Sequence, residues 1–135
     1  MKNNQLMIYG AYGYAGELMV REAVAQGLRP IIAGRDDEKL KPIATELSLE
    51  CRAFGVRNTG SNLQDISVLL NCAGPFSATA EPLARACLAQ QIHYLDITGE
   101  IDIFRKCHAL DEEARQQNVL ILPGAGTDIA VSYTH

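Results

Sequence analysis

No stretch of 18 apolar residues occurs in the 135-residue sequence, so nothing in it reads as a helix crossing a bilayer. No basic stripe or run of like charge is present, which argues against a nucleic-acid surface. The balance is mildly acidic, with a net charge of −4, and in the second half acids outnumber bases two to one. Four cysteines, at 51, 72, 87 and 107, make no CxxC pair, and none sits near a metal-spaced histidine. That pattern gives no metal site; the cysteines read as reduced, mostly buried thiols. His93, His108 and His135 are spaced for neither a metal nor a catalytic triad. The N-terminus offers Lys2 and then a short apolar run, Leu6–Tyr9, which glycines break at once, so it does not resemble a secretion signal. A cytoplasmic protein without a membrane partner is expected. Internal repeats and low-complexity segments are also missing.

What is present is ordinary for a globular chain: 47% apolar and 21% charged residues. The length suits one domain with a real core, residues 1–135, and is too short for a cofactor domain plus a full substrate domain. Short apolar runs alternate with helical stripes. Strands are expected at Leu6–Tyr9, Pro30–Gly34, Cys51–Phe54, Ser67–Cys72, His93–Asp96 and Val119–Leu122. Between them, helices are expected at Tyr14 to about Gln26, after Asp36 and Asp37, from about Thr79 to Gln91, and through Ile103, Cys107, Leu110 and Ala114 to near Asn118. Pro42 is awkward in the second helix and calls for a bent start or a fresh first turn near Lys41. Asn58 to Asn62 reads as a polar loop. Strand–helix alternation implies parallel strands, and right-handed crossovers then give a doubly wound α/β sheet of about six strands.

The strongest chemical signal is Gly10-Ala-Tyr12-Gly13-Tyr14-Ala15-Gly16, which follows the first strand and opens the first helix. That is the context a dinucleotide fingerprint requires, although GxxGxxG is one residue longer than the usual turn. One glycine permits the turn, one lets the backbone approach a pyrophosphate, and one lets helix and strand pack closely. The helix start then offers unpaired N–H groups and partial positive charge to the phosphates. Tyr12 and Tyr14 flank the turn, and Tyr14 either packs over the cofactor or staples the helix start.

The second strand ends Gly34-Arg35, where NAD sites usually carry an acid for the ribose hydroxyls. Arg35 is instead suited to a 2′-phosphate, with Lys39 as a second charge and Asp36 turned away as a helix cap. After the fourth strand, Asn71-Cys72-Ala73-Gly74-Pro75-Phe76 provides small residues that can lie against a flat ring, at the strand ends where such sheets bind ligands. Cys72 has no histidine nearby and reads as a buried thiol rather than a nucleophile. Asp96, Thr98 and Glu100 follow the fifth strand, where Thr98 can cap the next helix, Glu100 suits its N-terminal dipole, and a catalytic role is open to Asp96.

The segments Gly10–Arg35, Asn71–Phe76, His93–Glu100 and Leu122–Asp128 together resemble the NADP-binding domain of saccharopine dehydrogenase-like oxidoreductases. That group includes saccharopine reductases and trans-acting enoyl reductases, and the likeness runs from about Leu6 to Asp128. The resemblance implies a Rossmann fold that binds NADP(H), with Gly10, Gly13, Gly16, Arg35, Asn71, Ala73, Gly74 and Pro75 carrying the cofactor contacts. It also implies hydride transfer to a small-molecule substrate, once a substrate domain missing from this chain completes the site. Two further outcomes follow from that missing half: an open apolar surface near Phe76, Ile129 and Val131 that favours self-association, and a chain that binds NADP(H) without turnover. Catalytic residues and substrate are not readable. The alternatives are a non-catalytic, redox-sensing NADP(H) module working with a partner, and an S-adenosylmethionine-binding domain, which Arg35 disfavours.

Overall fold

The computed structural model describes residues 5–97 and 110–122. The strands are β1 (Leu6–Tyr9), β2 (Ile31–Gly34), β3 (Cys51–Ala53), β4 (Val68–Asn71), β5 (His93–Asp96) and β6 (Ile121–Leu122). The helices are α1 (Tyr14–Ala25), α2 (Asp37–Leu47), α3 (Phe76–Ala89) and α4 (Asp111–Gln116). The six strands form one parallel sheet in the order β3-β2-β1-β4-β5-β6. The chain winds outward from β1 to β3, returns to β4 beside β1, and winds out the other way. This is the doubly wound arrangement expected from the alternation.

Both faces of the sheet are covered, which explains why the strands read as unbroken apolar runs. Successive side chains on a strand point to opposite faces. Met7, Tyr9, Ile31, Ala33 and Leu69 pack on one face with Leu83, Ala84 and Cys87 of α3 and with Ala114 of α4. Ile8, Ile32 and Leu70 pack on the other with Val20 and Ala23 of α1 and Leu40 and Ile43 of α2. No helix among the described residues is long and apolar enough to cross a membrane.

Several boundaries differ from expectation. Helix α3 begins at Phe76, not near Thr79, because Pro75 occupies the N-cap position, where its missing N–H costs nothing. Thr79 lies in the first turn of α3, and its hydroxyl bonds Ala73 O. Helix α2 runs unbroken from Asp37 with Pro42 inside it, so neither a bent start nor a fresh turn is needed. Pro42 deprives the Glu38 carbonyl of its partner four residues on. Buried Leu40 and Ile43 hold the helix on the sheet despite that loss. The polar loop contains a short 3-10 turn, Gly60–Leu63, that buries Leu63. Strands β2, β3, β4 and β6 are each shorter than expected by one or two residues. Of the final helix, Leu110 and Ala114 are buried as expected, while Ile103 and Cys107 lie outside the described residues.

Candidate functional site

A cleft of about 320 Å³ opens at the carboxyl ends of β1, β2 and β4, where the strand order reverses. In such sheets this is the place where ligands bind. Gly10, Tyr12, Gly13, Gly34, Arg35, Lys39, Cys72, Ala73, Gly74 and Pro75 line it, so the structure brings together ten of the residues singled out from sequence.

The three glycines of the turn serve different ends. Gly10 has φ +83, and a Cβ there would lie 2.6 Å from Ala73 N. Gly16 is buried, and a Cβ there would lie 1.9 Å from the Gly10 carbonyl oxygen. Both are required by packing. Gly13 is not: its φ is −74, and a Cβ would meet nothing closer than Gly10 O at 3.5 Å, an ordinary contact. Gly13 is exposed and lines the cleft. Gly13 is also the N-cap of α1, and no side chain caps that helix. Its first N–H groups therefore have no side-chain cap, and a helix start of this kind suits an anion. Backbone bonds from Gly10 N and Ala11 N to Ala33 O, at 2.8 and 3.2 Å, tie the turn to β2.

At the end of β2, the Tyr12 ring covers Gly34, whose Cβ position would be 2.5 Å from the ring. The Tyr12 hydroxyl accepts the Asp36 N–H at 3.3 Å, and Lys39 Nζ stands 5.5 Å from the ring centroid. That distance is within cation–π range. Three acids follow Arg35, and each is engaged. Asp36 Oδ1 caps α2 by accepting the N–H of Glu38 at 3.0 Å and of Lys39 at 3.4 Å. Asp37 and Glu38 sit 3.2 and 3.5 Å from Lys41 Nζ. Arg35 is exposed and has no carboxylate partner among the described residues. Arg35 and Lys39 therefore give this end of the cleft its positive charge.

On the β4 side, Cys72 is buried, and burial together with the nearby Asp96 pushes its thiol up to about 12. A thiol held protonated at neutral pH is a poor nucleophile, in keeping with the sequence reading. Cys51, Cys72 and Cys87 form no disulfide; Cys107 lies outside the described residues. Asn71 departs from expectation. It is completely buried beneath the loop and does not line the cleft. Tyr14 also stands apart, 87% exposed on the outer side of the α1 start, while Ala15 is half-buried in the helix's first turn. Asp96 is fully buried, with its carboxylate accepting the Tyr94 hydroxyl at 2.6 Å. Thr98 and Glu100 lie outside the described residues. Among the described residues no group of three His, Cys, Asp or Glu side chains is placed to hold a metal.

Sequence reasoning missed Tyr9, Val56, Ala78 and Thr79, which also line the cleft. Tyr9 donates to Phe54 O at 2.7 Å, and burial pushes its phenol up to about 12, so it is a neutral floor. As the last residue of β1, directly before Gly10, it could have been found. Val56 could not, because it enters from the loop after the weak third strand.

The family model for the saccharopine dehydrogenase NADP binding domain matches residues 6–122. The saccharopine dehydrogenase-like oxidoreductase of Rattus norvegicus is 27% identical over 96% of this chain and 37% of its own length. A protein of Arabidopsis thaliana named "Probable mitochondrial saccharopine dehydrogenase-like oxidoreductase" is 27% identical over 91% of this chain and 32% of its own. The chain thus spans little more than a third of the curated relatives it matches. Among solved structures, apo saccharopine dehydrogenase (L-Glu forming) from Saccharomyces cerevisiae superposes with a TM-score of 0.76. That likeness, at 11% identity, covers 91% of this chain and 27% of the other, and shows the fold alone. The cytoplasmic expectation is corrected by the same comparisons: the Arabidopsis relative is named as mitochondrial, and a Caenorhabditis elegans relative, 23% identical, as a lipid droplet localized protein. The glycine turn on a doubly wound sheet and the match across nearly all of the described residues agree, and this chain belongs to the saccharopine dehydrogenase NADP-binding domain family of oxidoreductases.

Proposed function

We propose that residues 1–135 act as the cofactor-holding domain of an NADP(H)-dependent oxidoreductase whose substrate is unidentified. The Gly10–Gly16 turn and the start of α1 receive the pyrophosphate, through backbone N–H groups and the helix dipole. Arg35, assisted by Lys39, receives the ribose 2′-phosphate. The Cys72–Pro75 loop, on the other side of β1, receives the nicotinamide half. When bound, the cofactor supplies or accepts the hydride. The chain's own part is to hold and orient it. The neutral thiol of Cys72 and the neutral phenol of Tyr9 add no charge near the ring and compete in no nucleophilic chemistry.

The observation that carries this reading is Gly13. A glycine needed neither for φ nor for packing, facing the cleft at an uncapped helix start, is explained by a ligand that must come close. The test is Gly13→Asp. The protein has room for the side chain, so folding should survive, with circular dichroism and melting temperature close to wild type. The carboxylate would occupy the phosphate space with the wrong charge, and NADPH binding should be lost. Binding that survives in the folded variant would show that the turn is only structural.

A further inference from the structure

Asn71 on β4 and Tyr94 and Asp96 on β5 form a polar set inside an otherwise apolar layer. The parallel register pairs Asn71 with Asp96 and Leu69 with Tyr94. Residues two apart on a strand face the same way, so all three share a face with Leu69, the face that α3 covers. None of the three has measurable exposure. Burying polar groups in such a layer is unfavourable unless they are hydrogen-bonded. Here they are bonded to one another, and the chain of bonds has a direction.

The Tyr94 hydroxyl donates to Asp96 Oδ2 at 2.6 Å and accepts from Asn71 Nδ2 at 3.2 Å. Asn71 Nδ2 also donates to Thr79 Oγ1 at 3.1 Å. Asn71 Oδ1 accepts the Ala73 N–H at 2.9 Å, and Thr79 Oγ1 donates to Ala73 O at 2.7 Å. Side chains thus hold Ala73 by both its N–H and its carbonyl. Ala73 lines the cleft and abuts Gly10, where even a Cβ would be too close. Its position therefore sets both the wall of the cleft and the spacing between the β4 loop and the phosphate turn.

We infer that Asp96, Tyr94, Asn71 and Thr79 form a positioning relay that holds the Cys72–Pro75 loop in the shape that receives the nicotinamide half of the cofactor. Tyr94 and Asn71 do not line the cleft; they act through Ala73. Asp96, considered from sequence for catalysis, becomes the buried anchor of the relay. The inference rests on the NADP(H) reading above and adds residues to it that no glycine or phosphate motif would reveal.

The test titrates the full chain and its Tyr94→Phe variant with NADPH and with 2′,5′-ADP, which carries the phosphorylated adenosine half but no nicotinamide. Reduced-nicotinamide fluorescence is read in parallel. Removing the Tyr94 hydroxyl, and with it both of its hydrogen bonds in the relay, should weaken NADPH roughly three- to tenfold. Affinity for 2′,5′-ADP should stay within about twofold, and the change in NADPH emission on binding should shrink. A general loss of stability would move both ligands together. Thr79→Val should act like Tyr94→Phe, and Thr79→Ser, which keeps the hydroxyl, should bind like wild type; this pair carries the test if Tyr94→Phe does not fold. Unchanged NADPH affinity and emission in folded Tyr94→Phe would overturn the relay, as would equal losses for both ligands. Wild-type protein that binds neither ligand would instead overturn the NADP(H) assignment itself.

Discussion

The two sides of the cleft are built from different materials. The β1–β2 side is made of main chain: close-packed glycines, backbone bonds to Ala33 O, an uncapped helix start, and two exposed cations at its edge. The β4–β5 side is made of buried polar side chains that hold a loop from beneath. A pyrophosphate is the same in every dinucleotide, and a backbone cradle suits it. A ring that must present one carbon to a substrate needs a wall of defined position, and fixed side chains provide that. The two materials meet at Gly10 and Ala73, where a single methyl group would not fit.

If the first side is backbone packing, its most damaging single change is the smallest. Gly16→Ala gains up to about 1 kcal/mol of helix propensity. The new methyl would lie 1.9 Å from a carbonyl oxygen that is itself held by the turn. Overpacking of that kind costs about 3 kcal/mol. A net loss near 2 kcal/mol is expected in urea unfolding, together with weakened NADPH binding. A variant as stable as wild type would mean that the turn is far more pliable than its contacts imply.

A smaller effect separates capping from ligand binding at the same edge. Asp36→Ala removes the two bonds that cap α2 and should cost about 1 kcal/mol of stability. Relative affinity for NADPH and NADH should not change, because the carboxylate is spent on the helix. A selective fall in NADH affinity would reassign Asp36 to the ribose hydroxyls.

How much of this was legible in the sequence follows the same division. The backbone side announces itself, since glycines at 10, 13 and 16 and an arginine at 35 are local in the chain and each has a physical meaning at that spacing. The doubly wound sheet was legible for a similar reason, because strands covered on both faces leave continuous apolar runs. The side-chain side was not. Asn71, Tyr94 and Asp96 meet only through the register of β4 against β5, and Thr79 joins them because α3 begins at Phe76. From sequence Thr79 marks only the approximate start of its helix, and Asp96, weighed for catalysis, is buried and bonded to Tyr94. Pro42 misled, since burial of Leu40 and Ile43 outweighs one lost backbone bond.

The central claim is that the cleft takes a dinucleotide with its 2′-phosphate on Arg35, and titration calorimetry of wild type and Arg35→Ala with NADPH and NADH tests it most directly. A hydrogen bond to a charged group contributes about 1.5–3 kcal/mol, so Arg35→Ala should weaken NADPH roughly tenfold or more and leave NADH nearly unchanged. Equal losses for the two cofactors, or a wild-type protein that prefers NADH, would contradict the account.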